Sequence, residues 1–258
     1  MALRNVRVFV SILVIAVAAA CGGGEAPSEP MRAEPTSPPA TPLDPATAGN
    51  VTGMVVLEGT PPDPERIRMN ADPVCVREAI ETETEYYMVG DDGSLGNVFV
   101  YVKEGLGGRT FPTPSEPFTF DQRGCRYRPH VFGMQVGQTL VILNSDPTLH
   151  NIHATPALND EFNTGQPIQG MKFERMFENP EVMVPFKCDV HGWMNAYVGV
   201  LDHPYFAVSD GSGTFDISTL PPGDYVIEAW HEELGTQTQN VTVGEQETVE
   251  ISFTFSVS

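Results

Sequence analysis

The sequence predicts an all-β protein built of sandwiches, on three observations. Short runs that alternate apolar and polar residues with period two recur between Gly, Pro and Asp turns. No long segment carries a helical repeat. The 24 Gly and 23 Pro among 258 residues suit a turn-rich fold. That length allows one large domain or two small ones, each able to bury a core. The 34 acidic and 14 basic residues leave a formal charge of −20. Such a surface excludes nucleic acid as a partner and a polybasic membrane patch, because both need clustered Lys and Arg.

The first stretch reads as an address. Arg4 and Arg7 precede the apolar run 8–20, which is too short to span a bilayer and has the length of a signal-peptide core. The run ends in Ala-Ala-Ala-Cys and resembles the lipobox of bacterial lipoproteins, with Ala18 where Leu is usual. That resemblance implies a lipoprotein signal over 1–21, lipid on Cys21, and a membrane anchor in the cell envelope on the periplasmic or extracellular side. Residues 22–49 follow, rich in Pro, Gly and Ser and without apolar periodicity. They bury too little apolar surface to offset their ordering entropy and read as a disordered tether.

Residues 51–57 and 97–103 alternate as strands do. Residues 139–144 are nearly all apolar, as in a strand covered on both faces. The segment 76–85 is acidic and has room for one or two helical turns. The C-terminal run is the clearest strand: Val249, Ile251, Phe253, Phe255 and Val257 alternate with Glu250, Ser252, Thr254 and Ser256.

The chemistry lies in residues 182–200. Cys188, His191 and Met194 stand at spacing C-x2-H-x2-M, and residues 143–153 upstream read LNSDPTLHNIH. A thiolate, two imidazoles and a thioether are the ligand types of a blue-copper electron-transfer site. The thiolate bonds the metal covalently, the imidazoles suit both oxidation states, and the weak thioether tunes the potential. Val182, Val184, Phe186 and Cys188 alternate onto one strand face, which directs the thiol inward. Cys and His also bind zinc, but a Met ligand speaks against it.

This segment resembles the cupredoxins, and its short ligand loop is most similar to that of amicyanin. The family's His-Asn-x-His sequence is matched by His150, Asn151, Ile152 and His153. The resemblance implies His150, Cys188, His191 and Met194 as ligands of one copper ion. It implies that the Asn151 amide faces the thiolate while its side chain pins the ligand loop. The loop departs from the family in carrying Trp193 between His191 and Met194, which would set a bulky indole at the exposed surface. The chain is also about twice as long as a cupredoxin.

Cysteine arithmetic leaves Cys75 and Cys125, which should pair in an oxidising compartment. Closing that loop stabilises the fold by about 4 kcal/mol in the chain-entropy model. The competing use of Cys125 is a second metal site with His130. Among the other histidines, His153 alternates away from His150 and reads as structural, His203 as a contact between modules, and His231, beside Trp230, as a surface residue.

Residues 205–243 form the last module. Asp210, Gly213 and Phe215 stand as Asp-x-x-Gly-x-Phe, and Leu220, Pro221, Pro222, Gly223 and Tyr225 follow as Leu-Pro-Pro-Gly-x-Tyr. This resembles carboxypeptidase regulatory-like domains, which implies a transthyretin-like sandwich with a first strand near 49–59. The expected organisation is a cupredoxin-like Greek-key sandwich at 106–202, packed with or inserted into a second sandwich at 50–105 plus 203–258. The function expected is a membrane-tethered, one-electron copper carrier, not an enzyme, with no catalytic residue. The exposed edge of His191 would be its electron port. Its partner would be a basic redox protein such as a cytochrome. The alternatives are a copper-delivery lipoprotein without a redox partner, and a structural or carbohydrate-binding β lipoprotein.

Overall fold

The computed structural model describes Thr41 and residues 43–257. The expected signal, Cys21 and residues 22–40 of the expected tether lie outside the described residues. The last residues of that tether are built into the fold: Thr47 and Ala48 donate to the Asp44 carbonyl in a turn, and Gly49 opens the first strand.

The chain enters with β1 (Gly49–Glu58), runs through a loop carrying α1 (Pro73–Glu78), and returns as β2 (Phe99–Glu104). Nine strands follow: β3 (Phe118–Gln122), β4 (Tyr127–Arg128), β5 (Val131–Gln135), β6 (Leu140–Asn144), β7 (His150–Ala154), β8 (Phe162–Gln166), β9 (Lys172–Arg175), β10 (Glu181–Lys187) and β11 (Asn195–Leu201). The last are β12 (Phe206–Val208), β13 (Thr214–Leu220), β14 (Gly223–His231), β15 (Gly235–Val243) and β16 (Thr248–Ser256). The protein is all-β, with α1 the one α-helix among the described residues.

Two sandwiches result. In one, the sheet β13-β1-β16 packs on the sheet β12-β2-β14-β15, and Val55, Val100, Ile227, Phe253 and Phe255 fill the space between. Here β1 runs parallel to β16 along its length, from Asn50 opposite Thr248 to Glu58 opposite Ser256. In the other, β5-β11-β10-β7-β8 packs on β4-β3-β6-β9 around Phe120, Phe132, Ile142, Ile152 and Phe186. The sandwiches meet through Phe99, Tyr101, Val131, Met183 and Leu201. Close approach there depends on two glycines paired across β5 and β11, Gly133 and Gly199. A Cβ on Gly199 would lie 2.3 Å from the Phe99 ring, and one on Gly133 would lie 2.4 Å from Phe206.

Two strand expectations are corrected. Residues 140–144 do not bury both faces: Leu140, Ile142 and Asn144 are buried, while Val141 and Leu143 are only half-buried. Val182 does not share the face of Val184 and Phe186. The β10–β11 register shifts between Glu181 and Val184, with Met183 at φ 64°. This irregularity breaks the alternation, leaves Val182 exposed, and places Met183 at the contact between sandwiches.

Candidate metal centre

The second sandwich brings three predicted residues to one end. His150 opens β7, and Cys188 directly follows β10, the antiparallel neighbour of β7. Residues 188–194 then turn back into β11. Cys188 N–H donates to the Met194 carbonyl at 3.1 Å, and Met194 N–H donates to the His191 carbonyl at 2.8 Å. His191 N–H also points at Cys188 Sγ, at 3.3 Å. This tight loop carries His191 back over the strand end. One ring nitrogen from His150, one from His191, and Cys188 Sγ lie within 4.8 Å of one another. His150, Cys188, His191 and Met194 are all buried, His191 being 3% exposed.

The two imidazoles face each other through Nδ1, at 2.9 Å. Their far nitrogens are committed elsewhere. His150 Nε2–H donates to Asp146 Oδ2 at 2.9 Å, and His191 Nε2–H donates to Asp72 Oδ2 at 3.1 Å. Two Nδ1 lone pairs therefore converge beside a sulfur, and they repel unless a positive charge sits between them. A thiophilic cation with imidazole affinity fits this set, and the residues present suit a copper ion. Two other groupings of acidic, His and Cys atoms use the same histidines from behind, with Cys75 or Cys125. Those cysteines are joined in a disulfide and have no thiolate to give.

The electrostatics follow from these contacts. Burial alone would push the Cys188 thiol up. The neighbouring His150 and His191 rings and the Asn151 and His191 amides outweigh it, bringing the thiol down to about 6. Burial pulls His150 down, but the Asp146 and Cys188 partners win and raise it. Asp146 and Asp72 are both lowered, because their hydrogen bonds overcome the cost of burial.

Asn151 ties the site to its loop. Its Oδ1 accepts from Asp189 N–H at 2.7 Å and Val190 N–H at 3.3 Å, and lies 3.2 Å from Cys188 Sγ. Tyr127 hydroxyl donates to the Asn151 carbonyl. Cys75 and Cys125 form the expected disulfide. It fixes α1, whose N-cap is Asp72 and whose one buried residue is Cys75.

His191 offers no exposed edge, contrary to expectation. Asp72 and Cys75 cover its Nε2, with Cys75 Sγ at 3.6 Å, and the Trp193 ring lies 5.0 Å away. Trp193 is itself half-buried, its indole N–H donating to the Cys125 carbonyl at 3.0 Å. Asp72, Asp146 and Tyr127 were not singled out in the sequence. Asp146 stands four residues before His150 in the polar loop, and Asp72 caps the helix that carries Cys75. Those positions were the available signals.

The remaining histidines stand apart from the cluster. His153 points to the opposite side of β7 and bonds Asp189 and Glu161, each at 2.9 Å. His130 bonds the Asn195 carbonyl at 3.1 Å and the Glu232 carboxylate. His203 accepts from Tyr205 N–H and stacks on that ring. His231 is buried, not a surface residue, and packs against Tyr87 and Phe255.

The profile of polysaccharide lyase family 4, domain II, matches residues 179–251, a span that crosses both sandwiches. No curated protein matches the chain. Among solved structures, the copper-containing nitrite reductase of Thermus scotoductus SA-01 aligns with 38% of this chain at 19% identity and TM-score 0.32. The alignment spans only 25% of that reductase. A purple cupredoxin from Nitrosopumilus maritimus aligns over 32% of this chain and 98% of its own, at 23% identity and TM-score 0.29. An amicyanin variant in its Cu(I) form aligns over 39% and 97%, at 16% identity and TM-score 0.30. Each alignment covers well under half of this chain.

Proposed function

We propose that the protein is a copper-binding, one-electron carrier, tethered by lipid on Cys21 in the cell envelope. The observation that carries the reading is the buried meeting of His150 Nδ1, His191 Nδ1 and Cys188 Sγ at one end of a β-sandwich. A copper ion there supplies a one-electron couple between Cu(II) and Cu(I). Met194, in the same loop, would supply a fourth, thioether donor. The chain's own contribution is to hold the donors still: β7 and β10 fix two of them, and the hydrogen-bonded loop fixes the third. Burial excludes water from the thiolate.

Burial of all four residues also favours a carrier over a delivery protein, which needs ligands that a recipient can reach. A basic redox protein is the proposed partner. The −20 charge would steer it over long range, and added salt would weaken the encounter.

Copper titration of the purified chain, read by absorption, tests this. An intense visible thiolate-to-copper band that saturates at one equivalent and vanishes in Cys188→Ser supports the reading. Copper that binds equally well in Cys188→Ser, with no such band in either protein, overturns it.

A further inference from the structure

The geometry points to a frame behind the metal ligands: the Cys75–Cys125 disulfide carries two carboxylates, Asp72 and Asp146, that act as positioning residues for His191 and His150. This rests on the copper reading above and names how that site is held.

Each half of the frame backs one ring. On the Cys75 side, Asp72 Oδ2 accepts from His191 Nε2–H at 3.1 Å, and Cys75 Sγ lies 3.6 Å from the same nitrogen. Asp72 is itself fixed, because Oδ1 takes Val74 N–H at 2.7 Å and Oδ2 takes the Thr148 hydroxyl at 2.7 Å. On the Cys125 side, Asp146 Oδ2 accepts from His150 Nε2–H at 2.9 Å. That carboxylate also receives Gly124 N–H at 2.8 Å and Cys125 N–H at 2.7 Å. Cys125 Sγ, an Asp146 oxygen and a His150 ring nitrogen lie within 4.8 Å of one another. The disulfide therefore joins the two carboxylate–imidazole pairs into one piece.

The physical consequence is definite. A free imidazole spins about its ring bond and presents either nitrogen. A carboxylate on Nε2–H selects the tautomer whose Nδ1 lone pair is open, and aims it. Both rings are then set toward Cys188 before any metal arrives. Two anions behind the ligands also favour the doubly charged ion over the singly charged one. Removing either should raise the reduction potential.

The test uses the full chain with histidine labelled with nitrogen-15, first without metal. In the native protein, both rings should show Nε2–H signals that exchange slowly with water. In Asp72→Ala, the His191 Nε2–H should exchange rapidly while that of His150 is unchanged. Asp72→Asn has a single side-chain oxygen, which keeps the helix cap on Val74 N–H, and turns its NH2 donors toward His191 in place of Oδ2. It should lose the slow His191 Nε2–H signal as Asp72→Ala does, while keeping the helix cap, and should raise the copper potential. Copper affinity should fall by about 10- to 100-fold in both variants. A His191 signal and an affinity in Asp72→Ala that match the native protein would overturn the frame. The first arm contains no metal, so it separates the two ideas. A freed His191 ring in a protein that never binds copper would uphold the frame and overturn the copper reading.

Discussion

At the scale of single residues, Asn151 shows how much of the site one side chain holds. Its oxygen takes two consecutive amides of the ligand loop, Asp189 and Val190, and touches Cys188. Asn151→Ala strands those amides in a partly buried place. It should destabilise the fold by about 1–3 kcal/mol, read as a lower denaturant midpoint at unchanged slope. A midpoint equal to the native one would show that the loop is held by other contacts. The cysteine and histidine spacing was legible because chemistry dictates residue type at those positions. Asp72 and Asp146 were not. A carboxylate behind a ligand has no fixed spacing from it, and Asp72 lies far from His191 in sequence, so only the folded chain brings them together.

At the scale of elements, the alternation in 249–257 marks β16, where Phe253 and Phe255 are buried as the pattern requires. The pattern fails in β10 because the irregularity at Met183 lies in backbone geometry, which apolar periodicity does not encode. It also misplaces His231 at the end of β14, which packs inward against Tyr87 and Phe255. Burial, followed by the nearby His130, pulls the His231 imidazole down to about 4. The sign follows. The folded state holds a neutral ring, whereas the unfolded chain takes up a proton near its ordinary value of about 6.5. Stability from this residue is complete above that value and is lost as pH falls toward 4. A melting-temperature series should therefore drop more steeply between pH 6.5 and pH 4 in the native protein than in His231→Phe. Parallel series would show that His231 is not held neutral.

At the scale of the whole molecule, the two sandwiches are one assembly because β2 and β12 lay aromatic rings on bare backbone at Gly133 and Gly199. Gly199→Ala would force a Cβ into the Phe99 ring. It should cost about 1–3 kcal/mol by overpacking, seen as a lower melting temperature, while the copper spectrum stays native because the ligands lie at the end of the sandwich. A melting temperature equal to the native one would mean that the contact can open without cost. The all-β class was readable from period and turn content. The buried His191 was not: its cover comes from Asp72 and Cys75 at the start of α1, ahead of the acidic segment 76–85 where helical turns were expected. The closed site changes the electron route. If the protein carries electrons as proposed, contact with its partner would pass through the α1 cover or the Trp193 ring, not an open imidazole edge.

An electron paramagnetic resonance spectrum of the full chain with one equivalent of Cu(II) reads the copper–Cys188 bond most directly. A single signal with narrow copper hyperfine splitting is the expected result, because covalency with the Cys188 thiolate draws spin off the metal. A broad splitting typical of nitrogen and oxygen ligands alone would place the copper away from Cys188 and contradict the account.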